Sequence, residues 1–345
     1  MAQQLKINNF DLLRIIAASQ VLVGHTIWHL RIPTPHWMPL LDAFPGVPMF
    51  FSISGFLISA SFERNSDVRS YAHNRLLRIY PGLWSCIVVT ILAAGICGIS
   101  FLNLQAPIWF LSQLAGGIYT PQFLRAFGFG SYNGSLWTIP IELQFYVLLP
   151  VVYVFAKRQK YATGYFVAIW LAFVGVALVT QMMFNPLVEY PHEGLLRKLY
   201  RYSFAPHIYL FLTGVLLQRL AAHKSRWISG KGAYWLLGYL AFYWLLPRSA
   251  PTIVAAMVLL AVTTVSVAYT APKISHAVLR GNDVSYGVYI YHGLLINVFI
   301  ELGFFGQWKD LAVLAGCTYV IAYLSWTGVE RRFLRRKTHA LAPVQ

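Results

Sequence analysis

The chain has 345 residues, of which 58% are hydrophobic and 11% charged. Soluble domains carry roughly 25% charged residues, so this chain cannot present an ordinary water-facing surface, and lipid must be its main solvent. The formal net charge of +16 does not point to nucleic acid, because such a binder gathers its bases on a wet face beside aromatics, whereas here they lie between apolar runs.

Cys86, Cys97 and Cys317 form no CxxC pair and each falls in an apolar run, so they read as packing residues, and no metal site is expected. The first apolar run holds Asp11 and Arg14 in its N-terminal half. It therefore reads as a retained span and not as a cleavable signal.

A bilayer core takes about 20 apolar residues per helix. That ruler gives about ten spans, near residues 10–30, 45–62, 79–100, 136–156, 162–184, 204–220, 232–247, 251–270, 285–304 and 309–328. The expected architecture is all-α: a polytopic integral membrane helix bundle with both termini cytoplasmic. It forms a single membrane domain over 1–345, ending in a basic tail at 330–345. With that orientation, 20 of the 27 Lys and Arg residues fall inside and 7 outside, the asymmetry that membrane topology selects. Arg64–Arg78, Lys157–Lys160, Arg219–Lys231 and Glu330–Lys337 all lie on the inner side. The segment 101–135 is apolar over Ala106–Gly117 but interrupted by Pro107, Gly116-Gly117 and Pro121. A full crossing there would move Lys157–Lys160 outside, so it reads as interfacial or re-entrant.

Ionisable groups inside spans are costly and mark places where function is to be sought. In the first span Arg14 and His25 are eleven residues apart; at 100° and 1.5 Å per residue they share a helical face and are separated by roughly 16 Å in depth. Asp11 is one turn before Arg14 and can pair with it; His29 shares the face, nearer the outer surface. The plainer alternative is that Arg14 snorkels and His25 is a satisfied core histidine. His25 and His29 alone do not specify a metal.

The second span, Pro45 to Ile58, carries small residues that permit close helix approach. Arg75 and Arg78, one turn apart just before the third span, suit phosphates at a membrane surface, either of a ligand or of lipid. In the fourth span Glu142 is the only acid in an apolar run that opens with Ser135-Leu136-Trp137 and continues to Tyr146. Such a carboxylate pairs, titrates or touches a polar substrate. Tyr286, Tyr289 and His292 recur every three residues on one stripe of the ninth span, which fits either helix packing or a hydrogen-bonded cavity.

Together these residues resemble the membrane acyltransferase-3 family, which includes bacterial O-antigen and exopolysaccharide O-acetyltransferases. The resemblance rests on an ordered set: Phe10-Asp11-x-x-Arg14 with His25, Phe50-Phe51-x-x-Ser54-Gly55-Phe56-Leu57, Arg75-x-x-Arg78-x-x-Pro81, Ser135-Leu136-Trp137 with Glu142 and Tyr146, Tyr286-Gly287-x-Tyr289-x-x-His292, and Glu330. It spans residues 8 to 333 and is similar to the stand-alone form, with no room for the extracytoplasmic hydrolase-like domain that some members append. The resemblance implies a multi-pass protein of the cell inner (cytoplasmic) membrane that takes acetyl-CoA or another acyl-CoA as donor, with no permanently bound cofactor. A hydroxyl of an extracytoplasmic or lipid-linked carbohydrate would be the acceptor. It assigns the chemistry to His25 with Arg14, and with them Glu142. The same reading gives Arg75 and Arg78 to the CoA phosphates, and Trp137, Tyr146, Tyr289 and His292 to the acceptor side, where they line it or orient His25. The alternative class is a secondary transporter or lipid-linked sugar flippase, although no half-repeat of the transporter kind is visible. Oligomeric state is not readable from the sequence.

Overall fold

A computed structural model describes residues 8–117, 119–156, 162–188, 190 and 193–336. The expected inner cluster Lys157–Lys160 and the tail beyond Arg336 lie outside the described residues. Among the described residues, ten helices of twelve or more residues follow one another: α1 (Phe10–His29), α2 (Gly46–Arg64), α3 (Val68–Ile96), α4 (Thr138–Ala156), α5 (Ala162–Met183), α6 (Ile208–Arg219), α7 (Gly232–Leu245), α8 (Ala250–Ala268), α9 (Ser285–Glu301) and α10 (Trp308–Ser325). The described residues contain no strand, as expected where every backbone polar group must be satisfied without water.

Each of the ten expected segments is helical, but the helices are not equally long. Seven are long and apolar enough to cross a membrane; α6, α7 and α9 have 12, 14 and 17 residues. Local chemistry sets their ends. Pro206 sits in the turn before α6. Leu246, extended ahead of Pro247, stops α7, as a residue before proline disfavours the helical region. Gly303, at φ 76°, ends α9 in the left-handed conformation that glycine adopts cheaply. Among the described residues of the 101–135 segment the only α-helix is Ala106–Leu114, nine residues, which rise roughly 13.5 Å and fall far short of a bilayer core.

The chain divides into two compact units. The first comprises residues 1–17, 43–66 and 141–281. At its centre α2 and α6 pack backbone to backbone: a Cβ at Gly55 would collide with the Phe211 carbonyl, and one at Gly214 with the Ser52 carbonyl. This is the close approach that small residues allow in a membrane helix pair. Phe51 and Phe211 both pack on Phe145 of α4, with ring centroids 5.1 and 4.8 Å apart. The start of α1 is pinned by buried Asn9, whose amide donates to the carbonyls of Thr270 and Ala271 at 2.9 and 3.1 Å and accepts from the Ser275 N–H at 2.9 Å. Where α2 ends, Glu63 accepts from Arg219 at 2.5 Å, Tyr153 at 2.9 Å and Gln218 at 3.0 Å.

The second unit comprises residues 18–42, 67–140 and 282–345. Its core is α9, most of whose residues are buried, with α3 and α10 packed on it. Gly287 lets α10 approach, since a Cβ there would lie 2.8 Å from the Ala322 backbone. Asp67 caps α3 by accepting from the Ser70 N–H at 2.8 Å; hydrogen bonding to Ser70 holds its carboxyl below the usual carboxylate range. The residues after α10 form a π-turn, Trp326–Glu330, that buries Glu330, which accepts from Ser325 Oγ at 2.9 Å.

Candidate active site

In the second unit His25 of α1 meets His292 of α9, with Nδ1 of His25 3.1 Å from Nε2 of His292. His292 is fully buried, and its Nδ1 lies 3.2 Å from the Val288 carbonyl one turn back. A carbonyl can only accept, so His292 Nδ1 carries a hydrogen. In the neutral ring its Nε2 then holds the lone pair and accepts from His25 Nδ1–H. The lone pair of the pair is left on His25 Nε2. His25 is only half-buried, so this basic nitrogen belongs to a ring that still has open surface.

Around this pair the aromatic groups form a wall. His29 stands edge-on to His25 with centroids 6.1 Å apart and stacks on Phe129 at 3.9 Å. Phe129 sits on an irregular loop that two asparagines fasten to α9. Asn297 accepts from the Phe129 N–H at 3.0 Å and donates to the carbonyls of Ser131 and Tyr132 at 2.7 and 2.8 Å. Asn133 donates to the Ile290 carbonyl at 2.7 Å and accepts from Ser135 Oγ at 2.5 Å. Gly293 gives the turn room, because a Cβ there would lie 2.8 Å from Ser135 Oγ. Trp137, half-buried, ends that same turn. Thr138, the first residue of α4, donates to the Tyr289 hydroxyl at 3.0 Å. The expected stripe on α9 thus meets several elements: Tyr286 donates to the Ile79 carbonyl at 3.0 Å, Tyr289 accepts from Thr138, and His292 meets the histidine of α1.

Elsewhere in that unit, Arg78 donates to Asp283 at 2.5 Å, and Asp283 also accepts from Ser285 Oγ at 2.5 Å. The Arg78 charge is therefore answered within the protein. Arg75 places its guanidinium 5.9 Å from the centre of the Tyr71 ring.

The first unit holds the other candidates. Arg14 pairs with Asp11 at 3.3 Å, the one-turn pair anticipated from spacing. Glu142 accepts a hydrogen bond from Tyr146, one turn on, and another from Ser54 of α2 at 3.4 Å. These three residues form one cluster, while His25, His292 and Tyr289 form another.

Sequence reasoning did not single out Phe129, Asn133, Thr138, Asp283 or Asn297. Asn297 carried a usable signal, an amide alone in an apolar span. The others lie in loops or at a helix end, where polarity is unremarkable.

Comparison with known proteins agrees with the motif order. The acyltransferase-3 model, described as an acyltransferase domain, matches residues 7–327. The chain is 32% identical to nodulation protein 10 of Rhizobium leguminosarum bv. viciae over 363 residues, covering 97% of this chain and 95% of that one. It is 28% identical to the O-acetyl transferase of Shigella phage Sf6 over 357 residues, 98% of this chain and 99% of that one. A putative acetyltransferase, ORF330 of Acidianus two-tailed virus, is 23% identical over 301 residues, 82% of this chain and 81% of that one. No solved structure matches. With six motifs in order, seven helices apolar enough to cross a membrane and a match over nearly its whole length, the chain belongs to the acyltransferase-3 family.

Proposed function

We propose that the protein is an integral O-acetyltransferase of a cytoplasmic membrane, moving an acetyl group from acetyl-CoA to a hydroxyl of an extracytoplasmic or lipid-linked carbohydrate. Family membership favours chemistry over mere movement of a substrate, and the phage relative is named an O-acetyl transferase. The observation that carries the mechanism is the His25–His292 contact at 3.1 Å, with His292 anchored on a backbone carbonyl.

In this reading His25 Nε2 removes the proton of the acceptor hydroxyl as its oxygen attacks the thioester carbonyl. A C–O bond forms and the carbonyl becomes an oxyanion. Its collapse breaks the C–S bond, and the CoA thiolate leaves and takes the proton from the His25 imidazolium. His29 and Phe129 exclude water from this step, since hydrolysis competes with transfer. Arg14, one face of α1 below His25, draws the anionic donor toward the helix. Arg75 contributes to phosphate binding, and Arg78 does so only as the partner of Asp283. Glu142 with Tyr146 and Trp137 with Tyr289 serve acceptor hydroxyls and a sugar face.

The test is transfer of labelled acetyl from acetyl-CoA to a glycan acceptor by purified protein. His25→Ala should abolish it while the protein still melts cooperatively in detergent; normal turnover by that variant would sink the mechanism. Incubation without acceptor separates direct transfer, which leaves no label on the protein, from an acyl-histidine route, which leaves label on His25.

A further inference from the structure

Two side chains of the first unit lack what burial demands. Both ring nitrogens of His223 and the hydroxyl of Tyr269 are buried without a hydrogen-bond partner among the described residues, and the two residues are only 8% and 7% exposed. Unpaired buried polar atoms are costly, and three within two touching side chains call for a missing partner. The rings lie 5.3 Å apart, and Phe56 and Phe10 complete an apolar surround, at 5.8 Å from His223 and Tyr269 respectively.

The chain holds this pair in place deliberately. Ala221, two residues before His223, and Ala271, two after Tyr269, both take left-handed backbone conformations, φ 51° and 47°, which are strained for residues other than glycine. The two loops are tied together by Ser266 Oγ donating to the Ile228 carbonyl at 2.6 Å and the Gly230 N–H donating to the Tyr269 carbonyl at 3.2 Å. Phe10 stands one turn before Arg14 on α1. Burial, with Lys224 beside it, keeps the His223 imidazole below its ordinary value, so it offers one donor and one acceptor.

We propose that His223 and Tyr269 form a subsite for a secondary amide of the acyl donor's pantetheine arm. An amide carbonyl accepts from the Tyr269 hydroxyl and from the protonated His223 nitrogen; the other ring nitrogen, on the far edge of the ring, accepts from a separate donor such as the arm's second amide N–H. A slender chain with amides spaced along it suits polar atoms set among apolar rings. This subsite rests on the acyl-CoA reading above.

The experiment measures CoA binding, as the rise in melting temperature with ligand, and acetyl-CoA KM in wild type, Tyr269→Phe, His223→Phe and His223→Gln. Tyr269→Phe removes one atom. It should raise KM for acetyl-CoA about tenfold, the effect of one lost hydrogen bond, with kcat at saturating donor unchanged and the ligand-free melting temperature unchanged or higher. His223→Phe should do the same, and His223→Gln, which keeps a donor and an acceptor, should recover part of the affinity. Unchanged KM and unchanged CoA stabilisation in both phenylalanine variants would overturn the subsite and leave buried water as the partner. A wild-type protein that neither binds CoA nor uses acetyl-CoA would overturn the donor reading itself, and the subsite with it.

Discussion

His25 and His292 are joined through Nδ1 and Nε2 at 3.1 Å across 267 residues of sequence, and the Val288 carbonyl behind His292 fixes which nitrogen of each ring holds hydrogen. On the proposed mechanism the arrangement makes His292 a positioning residue: it does not need to reach substrate to matter. His292→Phe keeps the ring volume but leaves His25 Nδ1–H without an acceptor, so the tautomer with a basic Nε2 is no longer selected. Turnover should fall by about 10²–10⁴-fold, the range of a general base, with donor KM little changed. His292→Gln can place an amide oxygen near the lost nitrogen and should recover much of that rate. Equal activity of the phenylalanine variant and wild type would remove His292 from the mechanism.

Arg78 pairs with Asp283, and both side chains are largely buried, 18% and 10% exposed. Removing one partner of a buried pair costs roughly 3–5 kcal/mol, and residual solvent lowers that here to about 1–3 kcal/mol. Asp283→Asn and Arg78→Gln should therefore lower the melting temperature in detergent by similar amounts. A phosphate-binding role would separate them: Arg78→Gln would then raise acyl-CoA KM while Asp283→Asn left that KM unchanged.

Gly55 and Gly214 hold α2 and α6 at backbone contact, so either Gly55→Ala or Gly214→Ala should destabilise the first unit by about 1–3 kcal/mol or more, the cost of overpacking. Each methyl meets a carbonyl and not a flexible side-chain tip, so relaxation is limited. Thermal melting of each variant checks this; an unshifted midpoint would mean the helices can part freely.

Much of this arrangement was legible because helical period is local. The shared face of Arg14 and His25 follows from 100° per residue, and the Asp11–Arg14 pair from one-turn spacing. Glu142 stood out as an acid in an apolar run. What was not legible is long-range. Nothing near His25 names His292, and nothing near Arg78 names Asp283, because each contact is made by the fold. The Tyr286, Tyr289 and His292 stripe looked like one surface, yet three neighbouring elements meet it. Hydropathy placed ten helices but not their lengths, since a window sees apolar residues and not the proline turn before Ile208 or the left-handed Gly303 after α9.

Glu142 accepts from Tyr146 and Ser54. Glu142→Ala removes the acceptor that both hydroxyls share, at about 1–3 kcal/mol for each bond if buried, and should lower the melting temperature. Glu142→Gln keeps an accepting oxygen and should melt near wild type. If the carboxylate serves the acceptor, the glutamine variant will still lose kcat/KM for the glycan. A carboxylate used only for packing would leave that ratio unchanged.

Asn297 decides whether the Phe129 loop stays on α9. Its one side chain accepts from the Phe129 N–H and donates to two successive carbonyls, so Asn297→Leu, close in volume, removes three bonds at once and leaves loop polar groups to find water. Phe129 would then no longer be held on His29, and the wall beside His25 would loosen. If, as proposed, the donor thioester is attacked where that wall excludes water, the variant should lose kcat/KM for the glycan and should release acetate from acetyl-CoA faster relative to transfer. Donor KM should stay near wild type. The ratio of hydrolysis to transfer is the decisive readout: a general loss of folding lowers both rates together, whereas a loosened wall raises hydrolysis at the expense of transfer.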